Sequence, residues 1–426
     1  MILKNHWEEK LKQTKIQICT QLKENISCDV LVIGGGVAGL HAAQRLLESG
    51  LKVVLIEKTI CGGSSSGKSS GFLTPESEFG PSEIIKKYGS NAKEIWQIAL
   101  KGTSLILNNI KKYNLNCDLQ QQDGLYLGIG KSGKDKIKNQ AIACKQLGYG
   151  YKTYNSYELK DIHPTKAYCA GISYPKTYCI VSLLYIQELK QVLISKGVDI
   201  YENTEALKIE SNIVKTTLGS IKAKSIIVCI DKMKKDFSKA AKNTYHAQTF
   251  LAISEPLNKE EIKDIFPKKP FMCWDSNLIY SYYRLTKEGR LLLGGSSALT
   301  TYYPKPIRNP IIINKVIKNF KKKFPHLNKL KFINYWPGLI DITQDIMPIV
   351  DYDKENKCIQ YVQGCPGLPW AAFCGDYAAQ RTAKKRYKDY NKYFGSNRKF
   401  LIPFPVQTVI SKPITYAISN LYAEYK

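Results

Sequence analysis

The sequence lacks closely spaced metal ligands. Its twelve cysteines occur singly, with no C-x-x-C pair, and its five histidines lie far apart. Zinc and iron–sulfur sites usually show as cysteines or histidines at short, regular spacing, so no metal site is predicted. Scattered cysteines are typical of reduced, mostly buried thiols, which favours a cytoplasmic protein over a secreted one.

Long apolar runs are also absent. No stretch reaches the roughly 18 apolar residues that a membrane-spanning helix needs. Residues 1–27 are polar, with acidic residues among the lysines, and they lack the apolar core of a secretory signal. We therefore expect a cytoplasmic location.

Acidic residues are few. The 36 Asp and Glu residues are outnumbered by 63 Lys and Arg residues, which gives a formal net charge of +27. Such a charge can mark a nucleic-acid or membrane partner. The lysines are spread over many segments of a chain rich in Lys, Ile, Asn and Tyr, which favours solvated basic faces. We expect no specific nucleic-acid partner, and a basic footprint for a polyanion is the minority interpretation.

One stretch matches a phosphate-binding loop. The sequence "CGGSSSGKSSGF" at 61–72 contains the pattern G-x-x-x-x-G-K-[ST]. A functional loop of this kind runs directly into a helix, whose free N–H groups hold the phosphate. Here the following residues read "SSGFLTPESEFGPSE", in which two glycines and two prolines break any helix. We interpret the match as chance and predict no ATPase.

A dinucleotide-binding fingerprint precedes this loop. The buried strand "DVLVI" is followed by Gly34, Gly36 and Gly39, then by an amphipathic helix and a second strand, "KVVLIE", that ends at Glu57. The first glycine permits a tight turn, the second lets a pyrophosphate approach the backbone, and the third lets helix and strand pack closely. Glu57 lies about 20 residues after Gly36, where an acid can bind ribose hydroxyls. The combination predicts a bound dinucleotide, and the loop after Glu57 is predicted to belong to that site.

These residues and three further stretches carry a family resemblance. The stretches are the loop "SSSGKSSGFLTPESE", the hairpin "CWDSNLIYSYYRLTKEGRLLLGGSS" at 273–297, and "WPGLIDITQDIMPIVDYDKENKCIQYVQGCPGLPWAAFCGDYAAQ" at 336–380. From about Cys28 to about Thr382 the chain resembles the FAD-dependent amine and amino-acid oxidoreductases of the D-amino-acid oxidase, glycine oxidase and sarcosine oxidase type. Within that family it most resembles γ-glutamylputrescine oxidoreductase-like proteins.

The last of these stretches separates FAD from NAD, because a plain dehydrogenase has no counterpart to it. Its residues read as an alternating strand, "KCIQYVQGC", a tight turn, "PGLP", and a helix. That order places a glycine-rich turn at a second helix N-terminus, which can stabilise negative charge on a reduced flavin. The alternative is an ordinary strand-turn-helix that binds nothing.

The resemblance implies an α/β fold with an α+β substrate part. A discontinuous, Rossmann-like FAD-binding domain is expected beside a mostly antiparallel substrate domain. The expected boundaries are 1–26 for an N-terminal helical extension; 27–115, 180–250 and 336–385 for the FAD-binding domain; 116–179 and 251–335 for the substrate domain; and 386–426 for a basic C-terminal tail. The tail is expected to pack on the body, with weak contact to an anionic membrane surface as the alternative.

The fingerprint, the loop and the closing stretch together predict the residues that bind FAD. They are glycines and small or polar residues at the turns and helix starts, with a few larger neighbours: Gly34, Gly36, Val37, Ala38, Gly39, Glu57, Lys58, Ser65, Ser66, Gly67, Lys68, Ser69, Ala206, Gly338, Gly364, Gly367, Leu368 and Pro369. Some relatives tether the flavin through a cysteine just before the aspartate-containing element, where "YWPGLIDITQD" has none. We therefore expect non-covalent FAD.

Substrate contacts are predicted from "IYSYYRLT". Side chains alternate across a strand, so Tyr280, Tyr282 and Arg284 share one face, and this face is predicted to position the substrate. The alternative is a salt-bridged arginine among core tyrosines. Glycine oxidase-like members carry an arginine that clamps the substrate carboxylate where this sequence has Ile340, so either Arg284 replaces it or the substrate is not a simple amino acid.

The resemblance implies amine oxidation by hydride transfer to flavin N5, with hydrolysis of the imine and with O2 or another electron acceptor. The expected substrate is a γ-glutamyl-polyamine-like or other conjugated amine. Three alternatives stay open: an amino-acid dehydrogenase that passes electrons to quinone, a nucleic-acid-associated flavoprotein, and a flavin-binding scaffold without turnover.

Overall fold

Two large β-sheets organise the chain, and helices pack on them. The structure is a computed structural model that describes residues 1–76, 78–231, 243–277, 279–296, 307–384 and 387–400, together with residues 402, 406, 409, 414 and 418. No helix in these ranges is long and apolar enough to cross a membrane.

Short elements dominate the chain. The strands are β1 (Ile2–Leu3), β2 (Asn25–Ile33), β3 (Val53–Ile56), β4 (Phe72–Leu73), β5 (Gln120–Gln121), β6 (Asp123–Gly128), β7 (Lys152–Asn155), β8 (Ala170–Tyr174), β9 (Tyr178–Cys179), β10 (Asp199–Tyr201), β11 (Ala206–Glu210), β12 (Ile213–Thr216), β13 (Ser220–Val228), β14 (Thr244–Pro256), β15 (Phe271–Asp275), β16 (Tyr282–Leu285), β17 (Arg290–Ser296), β18 (Phe332–Thr343), β19 (Ile349–Tyr352) and β20 (Ile359–Gln363). The α-helices are α1 (His6–Lys12), α2 (Val37–Leu47), α3 (Pro81–Tyr88), α4 (Ala92–Tyr113), α5 (Gly130–Leu147), α6 (Ser156–Lys160), α7 (Ser182–Ser195), α8 (Lys259–Ile265), α9 (Ile311–Lys323), α10 (Leu368–Thr382) and α11 (Asn391–Phe394).

The glycine fingerprint lies in a largely parallel sheet of strand order β10-β3-β2-β13-β12-β11, with β20 paired to β13 and β19 to β20. Strands β10, β3, β2, β13 and β20 run parallel. Strand β3 (VVLI) and the adjoining parts of β2 (VLVI, 30–33) and β13 (IIV, 226–228) are apolar without a break because both faces are covered. Val30 and Val32 pack in one core with α2, α4, α7 and α10, and Leu31 and Ile33 pack in another. The predicted Rossmann-like unit is therefore confirmed.

A nine-stranded sheet of order β1-β18-β14-β17-β16-β15-β6-β8-β7 forms the second layer. Only its β1–β18 and β15–β6 pairs are parallel, so the predicted mostly antiparallel part is also confirmed. Its two faces belong to different cores. Phe250 and Tyr283 pack on the side of α9, whereas Leu251, Leu292 and Trp336 pack with the helices of the FAD-binding layer. We call this second side the inner face.

The strand pairing crosses two of the boundaries expected from the sequence. Strand β14 begins at Thr244 and pairs along β18 as far as Thr343, so residues 244–250 and 336–343 lie in the antiparallel sheet. A continuous ladder favours one long strand pair over a break at a domain boundary. Residues 232–242, which fall in the expected 180–250 piece, lie outside the described residues. The remaining domain boundaries stay predictions.

The residues at both chain ends pack into the fold more than the predicted extension and tail suggest. The N-terminal residues contribute β1 to the antiparallel sheet and the short helix α1, and β2 already begins at Asn25. Residues 387–400 pack on the body, where Arg398 forms a two-pronged ion pair with Asp345 (Nε–Oδ2 2.7 Å, Nη2–Oδ1 2.8 Å). Most of 401–426 lies outside the described residues, so the membrane-surface contact of the tail stays a prediction.

Candidate functional site

The glycine turn has the geometry that the fingerprint predicts. Gly34 adopts φ +108°, and a Cβ there would lie 2.4 Å from the carbonyl oxygen of Cys229. A Cβ on Gly39 would lie 1.8 Å from the carbonyl oxygen of Gly34, so only glycine lets α2 pack this closely on the turn. Gly36 is the N-cap of α2, and its Cβ would meet only Ser66, with the hydroxyl at 3.0 Å. The space in front of the N-terminus of α2 is thus kept free by a missing side chain.

Glu57 lies beside this turn, at the end of β3. One carboxylate oxygen accepts the N–H of Gly35 at 2.9 Å, and the other accepts the N–H of Thr59 at 2.9 Å. A carboxylate oxygen can accept more than one hydrogen bond, so these contacts orient Glu57 and leave acceptor capacity. This position agrees with the predicted ribose contact, which stays a prediction.

The stretch that resembles a phosphate loop contacts the N-terminus of α2. It does not begin a long helix of its own. Ser66–Lys68 forms a single 3-10 turn, and the chain then enters β4. The Ser66 hydroxyl accepts the N–H of Val37 in the first turn of α2 at 3.3 Å. The rejection of an ATP-binding loop is consistent with this geometry, because the stretch has no helix of its own to hold a phosphate.

Side chains from distant parts of the chain hold this loop through four consecutive carbonyl groups. The carbonyl oxygens of residues 67–70 each accept a hydrogen bond from a side chain elsewhere in the chain. In that order the donors are Asn5 Nδ2 (3.4 Å), Trp336 Nε1 (3.1 Å), Trp7 Nε1 (2.9 Å) and Arg284 Nε (2.8 Å). Both indole rings are almost fully buried and meet edge to face at 5.7 Å. The carbonyl groups of residues 67–70 are therefore hydrogen-bonded within the protein.

Arg284 is part of this support. Its side chain shares the inner face with Tyr282, as strand alternation predicts, but the residue is only 1 % exposed. Besides the loop carbonyl, its guanidinium donates to the carbonyls of Ile180 (2.9 Å) and Leu285 (3.2 Å). A guanidinium bound to three backbone carbonyls offers no free fork to a carboxylate. We therefore correct its predicted role from substrate positioning to support of the loop.

The loop entry is held by a buried ion pair that the sequence did not indicate. Lys190 and Glu202 lie 3.1 Å apart with fully buried side chains. The Glu202 carboxylate also accepts the N–H groups of Cys61 and Cys19, each at 2.6 Å. Each charge has polar partners, as a buried pair requires. The pair joins the loop to the N-terminal segment.

The closing stretch carries a second glycine turn, at the start of α10. Gly364 and Gly367, at φ +62° and +96°, turn the chain from β20 into α10. A Cβ on Gly375 would lie 2.0 Å from the carbonyl oxygen of Ala38, so α10 crosses the first turn of α2 in direct backbone contact. A glycine inside a helical pattern often marks such an approach, and this signal could have identified Gly375 from the sequence.

The remaining residues that are predicted to bind FAD lie in different surroundings. Ser65 donates to the carbonyl oxygen of Leu339 at 2.7 Å, which ties the loop to β18. Gly338 lies on the inner face, where a Cβ would lie 3.5 Å from Thr249 Oγ1. Ala206 begins β11. Lys58 points to the surface, where it pairs with Glu205 at 2.7 Å. Their contacts with the cofactor stay predictions.

These residues fit FAD. Helix α10 crosses the first turn of α2 at Gly375, and neither helix carries an acidic side chain in its first turn. Both positive helix ends are therefore available to the negative charges of a diphosphate and a reduced flavin ring. Gly36 keeps the approach to α2 open. In the described part of the chain, no group of three or more His, Cys, Asp or Glu side chains could hold a metal ion.

A row of aromatic side chains covers the inner face next to the loop. From Tyr280 the ring centroids follow at 5.8 Å to Tyr282, 6.0 Å to Phe72, 6.4 Å to Trp274 and 6.0 Å to Tyr174. All except Tyr174 are partly exposed. The strand predicted to line the substrate site thus contributes two tyrosines to a wider aromatic wall.

Two carboxylates from one segment lie along this wall, and sequence reasoning missed both. The Tyr280 hydroxyl donates to the Glu78 carboxylate at 3.2 Å, and desolvation raises the pKa of Glu78. Glu76 is 7 % exposed, and neither of its carboxylate oxygens has a hydrogen-bond partner within the described ranges. Burial raises the pKa of Glu76 from 4.5 to about 8. A possible sequence signal is the placement of two acids in an apolar loop of an acid-poor chain.

Comparisons with known proteins agree with this fold and site, which together define a dinucleotide-binding oxidoreductase. The family model "FAD dependent oxidoreductase" matches residues 29–381. The chain is 26% identical to the γ-glutamylputrescine oxidoreductase of Escherichia coli K12 over 409 residues, which cover 92% of each protein. It is 28% identical to the probable oxidoreductase OrdL of Haemophilus influenzae, over 80% of this chain and 78% of that protein.

Solved structures show the same fold. Glycine oxidase from Geobacillus kaustophilus aligns with a TM-score of 0.77 at 17% identity, over 88% of this chain and 99% of the other. Because the family model covers most of the chain, the chain belongs to the FAD-dependent oxidoreductase family that includes D-amino-acid oxidase. It is an enzyme, and FAD is its cofactor.

Gly36→Val is expected to abolish FAD binding. Gly36 has φ −80° and ψ −175°, which any residue adopts, so the new side chain acts by filling the diphosphate approach and not by straining the backbone. The measurement is the flavin released into the supernatant after acid precipitation, which also tests the predicted non-covalent binding. The control is Gly50→Asn in the same βαβ unit, because no atom lies within 4 Å of a Cβ there and Asn tolerates the left-handed φ of +79°. Normal flavin content in the valine variant, or colour that stays in the pellet, contradicts the respective expectation.

Glu76→Gln is expected to stabilise the protein above about pH 5. The folded-state pKa of Glu76 is raised to about 8, so wild-type stability falls between pH 4.5 and 8 as the unfolded chain ionises first. The loss approaches about 1.4 kcal/mol per pH unit in that window. Urea unfolding at several pH values measures it, with the exposed Glu210→Gln as control. A stability difference that does not change with pH contradicts this assignment.

Proposed function

We propose that the enzyme oxidises an amine that is not a simple α-amino acid, such as a γ-glutamyl-polyamine-like or other conjugated amine. The observation that carries this proposal is the charge of the substrate-facing wall. Ile340 stands on the inner face of β18, where it pairs with Ala247, and Arg284 is committed to backbone carbonyls. Two acidic side chains, Glu76 and Glu78, instead lie along the aromatic wall.

The similarity to γ-glutamylputrescine oxidoreductase supports an amine of this kind. That relative is named for a substrate in which an amino-acid head is joined to a chain ending in an amine. An elongated wall of half-buried rings suits such a chain better than a small pocket does, because aromatic side chains bury long apolar segments and also attract cations.

The reaction converts a C–N single bond into a C=N double bond. A hydride leaves the carbon next to the neutral amine nitrogen, a proton leaves the nitrogen, and water hydrolyses the imine to a carbonyl compound and an amine or ammonia. Bound FAD supplies the hydride acceptor at flavin N5, and O2 or another acceptor takes up the electrons.

The contribution of the chain is to position the substrate and exclude water. Tyr282 and Phe72 meet edge to face at 6.0 Å beside the flavin loop, so they present apolar surface to the methylene groups of the substrate. The loop itself is held through its carbonyl groups by side chains such as Arg284 and Trp336, so its position does not depend on the substrate.

Anaerobic reduction of the flavin across a substrate panel tests the proposal. We expect putrescine conjugates and other long amines to bleach the flavin. Glycine and D-alanine are expected to react more weakly, because a missing bidentate arginine forfeits about 1.5–3 kcal/mol, or about tenfold to a hundredfold in affinity.

Ile340→Arg provides the converse test, with Ile340→Leu as the matched control. The arginine variant is expected to gain affinity for small amino acids, and the leucine variant is not. Efficient oxidation of glycine or a D-amino acid by the wild-type enzyme contradicts the proposed substrate class.

A further inference from the structure

The two carboxylates beside the aromatic wall are not explained by the fold. Buried carboxylates in proteins are normally paired with a cation or with hydrogen-bond donors, because burying an unpaired one is costly. Glu76 is 7 % exposed and both of its oxygens are unpartnered within the described residues. The chain carries 63 Lys and Arg residues, yet no described lysine or arginine forms an ion pair with Glu76.

The surroundings of Glu76 point in the same direction. Glu76 acts electrostatically on the phenols of Tyr149 and Tyr174 and on the thiol of Cys144. Burial raises the pKa of each of these three groups above its ordinary value, and to about 12 for Cys144. None of them can supply a positive charge. The carboxylate lies among rings with an attractive face for a cation but without the cation itself.

Glu78 lies beside the Tyr280 end of the aromatic row. The Tyr280 hydroxyl donates to its carboxylate and lies 3.2 Å from both oxygens, and the Tyr282 ring follows that of Tyr280 at 5.8 Å. Glu78 is exposed to solvent, although enough protein surrounds it to raise its pKa by desolvation.

The row connects the two carboxylates. Tyr280 and Tyr282 lie at Glu78, Tyr174 lies at Glu76, and Phe72 and Trp274 lie between them with ring-to-ring steps of 6.0 to 6.4 Å. Cationic nitrogens are recognised by rings combined with carboxylates. Two carboxylates beside an aromatic surface match the ammonium end of an amine, and the rings match the methylene groups that lead to its other nitrogen.

We propose that Glu76, Glu78 and the aromatic row form a subsite for a second ammonium group of the substrate, held by Glu78 and Glu76 while another nitrogen is oxidised. The substrate class is then a linear diamine or polyamine, or a conjugate of one that keeps a second ammonium group. This inference rests on the proposed function and deepens it, because it names what distinguishes a good amine from a poor one.

The test compares two ligands of equal length that differ by one ammonium group, pentane-1,5-diamine and pentylamine. The holoenzyme is titrated anaerobically with each, and the heat of binding and the flavin absorbance are recorded on the same sample. The titration is run at about pH 9, where Glu76, with a pKa of about 8, is largely ionised and both amines keep most of their charge. We expect the wild-type enzyme to bind the diamine at least about tenfold more tightly, which is the scale of one charge-assisted contact.

Variants locate the preference. Glu78→Gln and Glu76→Gln are each expected to reduce it, and the double variant to bring the two ligands within about threefold of one another, while pentylamine affinity changes little. The control is Glu210→Gln on the distant β11 strand, which removes an exposed carboxylate paired with Lys208 and is expected to leave the preference intact. Retained pentylamine binding in the variants shows that they are folded.

The outcomes separate this inference from the proposed function. Equal binding of the two ligands by the wild-type enzyme, or a preference that survives the double variant, overturns the subsite even if monoamines bleach the flavin. A diamine preference lost in the double variant, but without bleaching by any amine, supports the subsite and overturns the proposed oxidation.

Discussion

The site depends on one arrangement of hydrogen bonds, in which buried side chains hold four consecutive carbonyl groups of the loop at 67–70. A glycine- and serine-rich loop has high conformational entropy, and ordering it costs roughly 1–2 kcal/mol per residue. Here the donors come from the N-terminal segment, from β16 and from β18, so the loop is ordered where three parts of the chain meet. These hydrogen bonds offset the cost of ordering the loop, which is predicted to bind FAD.

The same arrangement explains the distribution of charge. Arg284 is used to hold the loop, and Ile340 occupies the position at which the family resemblance predicts a carboxylate-clamping arginine, so neither residue offers a cation to an anionic substrate. Two carboxylates lie along the aromatic wall instead. In a chain with a net charge of +27, this local reversal of sign is a feature of the site and not of the composition. It connects the loop architecture to the proposed preference for amines.

Local pattern was sufficient to predict the part of the fold that depends on neighbouring residues. Strand periodicity, three glycines and the acid at Glu57 identified the nucleotide-binding unit, and alternation placed Tyr282 and Arg284 on one face. The pattern did not show what Arg284 contacts, because the carbonyl groups of Ser70 and Ile180 lie more than a hundred residues away in sequence. Distant partners also concealed the roles of Trp7 and Trp336, whose carbonyl acceptors lie 62 and 268 residues away. The Lys190–Glu202 pair, although only 12 residues apart, was not indicated by the sequence either. The unpaired state of Glu76 is likewise visible only once the distant side chains around it are in place.

The dissociation constant of FAD from a Trp7→Phe variant tests the dependence on the loop most directly. Phenylalanine keeps an aromatic ring beside Trp336 but removes the N–H that the Ser69 carbonyl accepts at 2.9 Å. The control is Trp96→Phe, because Trp96 is equally buried and its Nε1 has no hydrogen-bond partner among the described residues. We predict that Trp7→Phe raises the dissociation constant about tenfold, the cost of one buried unsatisfied carbonyl, and that Trp96→Phe leaves it nearly unchanged. Equal dissociation constants for the two variants would contradict a loop held in place by these hydrogen bonds.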